Sequence, residues 1–430
     1  MASTAHYEQS RQTKRAPAQP TKVWHSQARM STVKDDETVI VRGEGAYVWD
    51  ERGNRLLDAP ASLWYCNVGH GRREIGDAVI AQMNQLAAYS NFQQFMTAPT
   101  LELGSRLVEA APVDNARVFF TSGGSDSIDL AAKLARRYWT AVGRPEKRII
   151  VSREGSYHGL HGFGTSIAGI PFNREGLGDL ISDTARVPAN DAAALEALIT
   201  AHGADRIAAF FCEPVIGTGG VIHPADGYLE AVERICREND ILLVADEVIT
   251  GFGRTGELFA CERFGIRPDM LTMAKGITSG YLPLGGVLIA ERVWAPFWED
   301  GSELIFRHGI TYSGHASVCA AALANLDIIG REDLIARVRH LEPILAAALK
   351  PLEGHELVRE VRVGVGLLAA IECVSDPVAE HLCRSGLANG VITRTLARSS
   401  IHVSPPFVIE ESDINMMADV FAEALGSFAV

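Results

Sequence analysis

The chain has 430 residues, 47% hydrophobic and 22% charged, and a net charge of −13 at pH 7. That is apolar material for more than one lobe and an ordinary globular composition, but the wrong sign for a nucleic-acid surface, which needs a basic face. Seven scattered cysteines without a C-x-x-C pair signal neither a disulfide framework nor a zinc site and suit a reducing cytoplasm, and no apolar run is long enough to span a membrane.

Residues 1 to about 30 are rich in Ser, Thr, Gln, Lys and Arg with only Glu8 acidic, which reads as a flexible arm over residues 1–35 rather than a transit peptide. Thr38-Val-Ile-Val-Arg42 and Ala46-Tyr-Val-Trp-Asp50, parted by Gly43 and followed by Glu51-Arg-Gly-Asn54, predict a small meander. Ser62 to Gly71 is a glycine-punctuated loop whose aromatics could line a pocket, and Arg73 to Leu86 has helical spacing. From about residue 100 to 330, helical segments alternate with apolar runs at 117–120, 148–152, 207–212, 241–245, 270–273 and 286–289. Such alternation predicts an α/β fold with a mainly parallel sheet covered on both faces, and ligands at the carboxyl ends of its strands. The last hundred residues, helical at 317–350, 377–389 and 411–427 and strand-like at 357–373 and 400–404, predict a smaller α+β domain.

Three clusters at strand ends carry chemistry. Thr121-Ser-Gly-Gly-Ser-Asp126 precedes a helical pattern, so Gly124 and Ser125 could form a phosphate site on free helix amides; the plainer reading makes Ser125 an N-cap. Asp246 and Glu247 end an apolar strand, where a carboxylate needs a partner, either a protonated ligand nitrogen or an internal cation such as Arg254. Lys275 ends the apolar run at Met273 against glycines, where lost hydration lowers an amine's pKa and favours Schiff-base chemistry; otherwise it merely ends a strand and reaches solvent. Gly251 to Gly256 matches G-x-G-x-x-G, but no clean helix, strand and ribose-binding acid follow, so a dinucleotide site is rejected. His158 and His161 suggest no third ligand, and no metal is expected.

Asp246-Glu-Val-Ile-Thr-Gly-Phe-Gly-Arg-Thr-Gly256 followed by Met273-Ala-Lys-Gly276 resembles the signature of class III pyridoxal-phosphate aminotransferases of the omega-amino-acid and amine:pyruvate kind. Ser62 to Arg72, Gly124-Ser125, Ser156-Tyr-His-Gly159, Cys212-Glu-Pro-Val215 and His308 to His315 are similar to further motifs of that family, in order, so the resemblance runs from about Trp49 to Phe407. It implies fold type I, with a seven-stranded sheet in a large PLP-binding domain (71–329), and a small domain built from 330–430 with residues 36–70. It further implies Lys275 as the Schiff-base lysine, Asp246 on the pyridinium nitrogen, Tyr157 and Val248 on the two ring faces, and Glu213 in support near the ring hydroxyl. Gly124 and Ser125 would take the phosphate, Thr311 would reach the neighbouring subunit's phosphate in a homodimer or tetramer, and Trp64 would face substrate. Arg394, or failing it Arg398, would pair with a carboxylate, unless either is only a surface ion pair.

The implied reaction is ping-pong transfer of an amino group from an amine or omega-amino acid to a 2-oxo acid, with pyruvate the first choice. Gly123, Asp126, Ile216 and Ala316 depart from the family's commonest residues and bear on specificity rather than cofactor chemistry. Rival readings are an aminomutase, racemase or decarboxylase on the same fold, a non-catalytic relative that keeps the cofactor and, from another class, a nicotinamide-dependent oxidoreductase.

Overall fold

A computed structural model describes residues 21–35 and 37–428. The first twenty residues of the expected arm lie outside the described residues; residues 21–35 contain one short helix, Met30–Val33. The meander follows as β1 (Ile40–Glu44), β2 (Tyr47–Asp50) and β3 (Arg55–Asp58).

Seven strands form the central sheet: β4 (Arg117–Thr121), β5 (Ile149–Arg153), β6 (Thr184–Val187), β7 (Ile207–Cys212), β8 (Leu242–Asp246), β9 (Met270–Met273) and β10 (Gly285–Ile289), in the order β4-β10-β9-β8-β7-β5-β6. All neighbours run parallel except β10, which is antiparallel to both β4 and β9. The apolar runs are continuous because both faces are covered. On one face Ile150, Ala209, Phe211, Val244 and Val287 pack with the helix Gly124–Ala141; on the other Val151, Phe210, Leu243, Leu271 and Leu288 join the larger core.

After β10 come the helices Ala316–Arg331 and Leu334–Leu349, then β11 (Val358–Val365), β12 (Leu368–Cys373), helix Asp376–Ala388, β13 (Val391–Ile392), β14 (Thr395–Leu396), β15 (Ser400–Val403) and helix Glu411–Gly426. β11, β12, β15 and β14 form a second sheet. β13 pairs parallel with β3, so the end of the chain completes the sheet that its beginning starts.

The helix read over 317–350 is two helices, because Asp333 turns into the left-handed region (φ 49°) between them. The strand β6, unmarked in the sequence reading, is short and only partly buried.

Arg254, offered in the sequence as a partner for the acids at 246–247, does something else. Its guanidinium donates to the carbonyls of Leu367, Ser404 and Pro405 (3.3, 3.1 and 2.6 Å) and to Asn67 Oδ1 (2.7 Å), tying the loop after β8 to the C-terminal sheet and to the loop before the first long helix. Burial pushes its pKa down to about 9. Glu247 is satisfied instead by the Thr250 hydroxyl and the Ala260 and Cys261 amides. Arg254→Leu therefore strands four acceptors, and a loss of about 3 kcal/mol or more is expected; a thermal midpoint within a degree of wild type would refute this role.

Candidate active site

Lys275 follows β9 in a 3-10 turn, Lys275–Ile277, with its own backbone left-handed (φ 47°). A lysine there costs about 1–2 kcal/mol of backbone strain, so the turn is held from outside: Asn325 Nδ2 donates to the carbonyls of Gly276 and Ile277 (2.9 and 3.0 Å). A Cβ at Gly276 would lie 2.6 Å from Asn67 Nδ2, so that position admits only glycine. The result aims the Lys275 amine into a cavity of about 670 Å³ at the carboxyl ends of the strands. Loss of hydration there lowers its pKa to about 8, against the opposing pull of Asp246.

Asp246 ends β8, next to β9. Its Oδ1 accepts from the Val248 amide and the Thr272 hydroxyl (both 3.1 Å), and its Oδ2 meets His158 Nδ1 at 2.8 Å. His158 is buried, and its Nε2 has no partner among the described residues. This histidine was passed over in the sequence, where only its spacing to His161 was weighed. The two rings turn to different acids, His161 to Asp126 at 3.3 Å. The available signal was its adjacency to Tyr157, at a strand-following loop that must meet the buried acid at Asp246.

The helix Gly124–Ala141 opens toward the cavity with no side chain capping its first amides, since Ser125 is already inside the helix and Gly123 is the N-cap. Thr121 and Ser127 lock that entry, their hydroxyls 2.8 Å apart and both bonded to the Gly123 carbonyl. Free helix amides beside a lysine make an anion site. Val248 packs against Gly124, and Gly159 (φ 81°) lies so close to Ser125 that an added Cβ would sit 2.4 Å from its hydroxyl.

Tyr157 enters on the same loop as His158. Its amide donates to Glu213 Oε1 (2.9 Å) and the Gly217 amide to Oε2 (2.8 Å). Burial raises the pKa of Glu213 and of the Tyr157 hydroxyl. Trp64 comes from a backbone wound through positive φ at Ala61, Ser62 and Trp64, which the Asp58 carboxylate holds by accepting from the Ser62 amide (2.7 and 2.8 Å). Its ring stacks on His402 at 4.0 Å, with the Arg394 guanidinium 4.4 Å and the Lys275 amine 5.1 Å from its centroid.

One cavity thus gathers Lys275, Asp246, Gly124, Ser125, Tyr157, Val248, Glu213, Trp64 and Arg394. Arg394 carries no ion pair or side-chain hydrogen bond among the described residues, and burial lowers its pKa to about 10. Arg398, the second choice for a carboxylate, lies off the cavity lining and is bonded through Nε to Glu372 (3.0 Å). Thr311 is exposed and lines no part of the cavity of its own chain. Gly251 to Gly256 forms turns wedged against Phe259, Phe407 and Arg339, with no helix start at which a dinucleotide could dock. Among the described residues one trio, Asp58, Cys66 and His70, lies close enough to hold a metal, yet His70 Nε2 already meets Asp58 at 2.7 Å.

These groups fit pyridoxal phosphate. An amine with a lowered pKa suits its aldehyde, a fully bonded buried carboxylate suits a protonated ring nitrogen, and uncapped helix amides suit its phosphate.

The profile of the class-III aminotransferases matches residues 30–425. The putrescine–pyruvate aminotransferase of Pseudomonas aeruginosa is 38% identical over 421 residues, covering 91% of each chain. A PLP-bound amine transaminase from an uncultivated Pseudomonas species superimposes with a TM-score of 0.91 at 35% identity, over 95% of this chain and 99% of that one. An (S)-enantioselective omega-transaminase from Thermomicrobium roseum gives 0.90 at 38%, over 94% and 95%.

In the chain without cofactor, Lys275 titrates near 8 when folded and near its ordinary 10.5 when unfolded. The unfolded state holds the extra proton between those values, so this residue's contribution to stability rises with pH across that window. Lys275→Met should remove the increment, and an undiminished rise in thermal midpoint from pH 8 to 10 in that variant would assign it elsewhere.

Proposed function

The chain belongs to the class-III aminotransferases, and from that premise we propose that it moves an amino group from an amine or omega-amino acid donor to a 2-oxo acid, pyruvate first, in a ping-pong cycle. The activity is PLP-dependent transamination. Bound pyridoxal phosphate supplies the electron sink for the bond broken at the donor carbon.

The chain's own residues do the rest. Asp246, its carboxylate held in place by His158 and Thr272, would keep a proton on the ring nitrogen. The amides of Gly124 and Ser125 would take the phosphate, Tyr157 and Val248 would hold the ring, and Glu213, bonded to the Tyr157 amide, would support it. Lys275 Nζ would take the proton from the donor carbon and return it to the cofactor's C4′ carbon, which calls for an amine neutral near working pH. Arg394 pairs with the carboxylate of the 2-oxo acid. Its half-buried guanidinium has room for a bidentate partner and none of its own among the described residues.

The observation that carries this reading is the Lys275 amine, with its lowered pKa, in one cavity with a bonded buried carboxylate and an open helix start. It favours transamination over a nicotinamide enzyme, and dependence of turnover on added pyruvate separates it from an aminomutase, racemase or decarboxylase.

A homodimer with shared sites, or a tetramer of such dimers, is supported by an exposed apolar band. Ile80, Met83, Tyr89, Phe92 and Phe95 face outward, and Asn91 bonds the carbonyls of Ser313 and Gly314, which brings Thr311 and Tyr312 to the same region. Thr311 would then serve the partner's phosphate. The β3–β13 pairing supports counting residues 36–70 with 330–430 as the smaller domain and 71–329 as the large one. No described helix is long and apolar enough to cross a membrane, and a cytoplasmic location agrees with seven cysteines that are all free.

Lys275→Ala should abolish turnover and prevent borohydride from fixing the cofactor to the chain; full activity in that variant would sink the mechanism. Arg394→Ala should raise KM for pyruvate about 10- to 100-fold, as expected for losing a charge-assisted bidentate pair, while an amine without a carboxylate keeps its KM. Equal losses for both substrates would place the guanidinium's role in packing.

A further inference from the structure

Residues 21–35 were expected to be an arm, yet Ser26 and Gln27 line the same cavity as Lys275 and Asp246. His25 pairs with Glu37 at 2.9 Å further along the same segment, and Gln27 takes a left-handed backbone (φ 52°) in the turn that the Ala28 amide closes onto the His25 carbonyl. The Gln27 carboxamide faces the Tyr157 hydroxyl and lowers its pKa against the effect of burial.

The rest of the outer wall is as informative for what it lacks. Among the described residues the cavity has two acids, Glu213 and Asp246, and both oxygens of each already accept hydrogen bonds or meet His158. The outer part offers the Arg394 cation, the hydroxyls of Ser26 and Thr218, the Gln27 amide and the apolar surfaces of Leu63 and Trp64. A second ammonium on the donor would find no free carboxylate and would approach a guanidinium, whereas a carboxylate or neutral polar end would find donors.

We propose that Gln27 is a specificity-determining residue: it reads the far end of the amino donor and, with Arg394, selects omega-amino acids and neutral-ended amines over diamines. The inference rests on the transaminase reading above and deepens it. Gln27 is uncharged and can both donate and accept, so it tolerates a carboxylate, a hydroxyl or an apolar end turned aside, while giving a cation only its carbonyl oxygen.

The test is a charge pair at one position. Wild type, Gln27→Glu and Gln27→Lys are loaded with cofactor, their cofactor content is checked by absorbance, and kcat/KM with pyruvate is measured for 4-aminobutanoate and 1,4-diaminobutane. Wild type should favour the amino acid by about tenfold or more, the discrimination that one opposed charge produces. Gln27→Glu should move that ratio at least about tenfold toward the diamine, and Gln27→Lys should move it the other way. Binding of the unreactive pentanoate to the loaded enzyme, by calorimetry, should weaken in the first variant and tighten in the second. A wild type that uses the diamine equally well overturns the proposal, as does a ratio that shifts less than twofold in both variants or in the same direction in both. If neither amine alters the wild-type cofactor absorbance, it is the transaminase reading that fails.

Discussion

A carboxylate taken out of water loses several kcal/mol of hydration unless donors replace it. Asp246 regains three partners, from the Val248 amide, the Thr272 hydroxyl and His158, while remaining at the edge of a cavity. Lys275, one strand over, receives no such compensation and responds by giving up its proton more easily. The carboxylate is thus bonded in place, while the amine is brought toward its neutral form. Parallel strands make this possible, because β8 and β9 end side by side and deliver both residues at the same level of the sheet.

What was legible in the sequence follows from this. Charged residues ending long apolar runs stand out, so Asp246 and Lys275 were legible as candidates, as was the glycine-serine turn before a helix at Gly124 and Ser125, while their roles came from the family resemblance. The six apolar runs were legible as strands because burial on both faces removes any alternation. β6 escaped because its four residues are only partly buried and include a charged one, Arg186. His158 escaped because its chemistry depends on an acid 88 residues further along the chain. Arg254 was misjudged for a related reason: its partners are mainly backbone carbonyls from the C-terminal part, which no side-chain pattern announces. Gln27 lay in a stretch whose polar composition describes solvated chain and conceals that two of its residues face a pocket.

The cavity is assembled from segments far apart in the chain. Residues 26–27, 63–64, 124–128, 157–161, 213–218, 246–249, 274–275 and 394 all contribute. The inner part comes from strand ends of one sheet and inherits that sheet's rigidity. The outer part comes from loops before the first long helix and from the turn between β13 and β14, held by local bonds such as Asp58 to the Ser62 amide. In the proposed cycle the cofactor chemistry falls to the rigid part and the choice of substrate to the loops.

The stack of Trp64 on His402 constrains anyone who wishes to enlarge that outer part. His402 is buried in β15, its proton affinity lowered by desolvation and by the charges of Arg394, Arg254 and Lys275. Trimming Trp64 would make space for a bulkier amine but would also uncover this imidazole to incoming water, letting it acquire charge between two guanidinium groups. The neighbouring guanidinium of Arg254 is the one that ties the loop after β8 to the C-terminal sheet. Broader substrate scope gained at Trp64 would therefore carry no loss of acid tolerance from this ring: raising the folded pKa of His402 toward its unfolded value narrows the gap that makes acid favour the unfolded chain, and the loss would fall on the stacked packing itself.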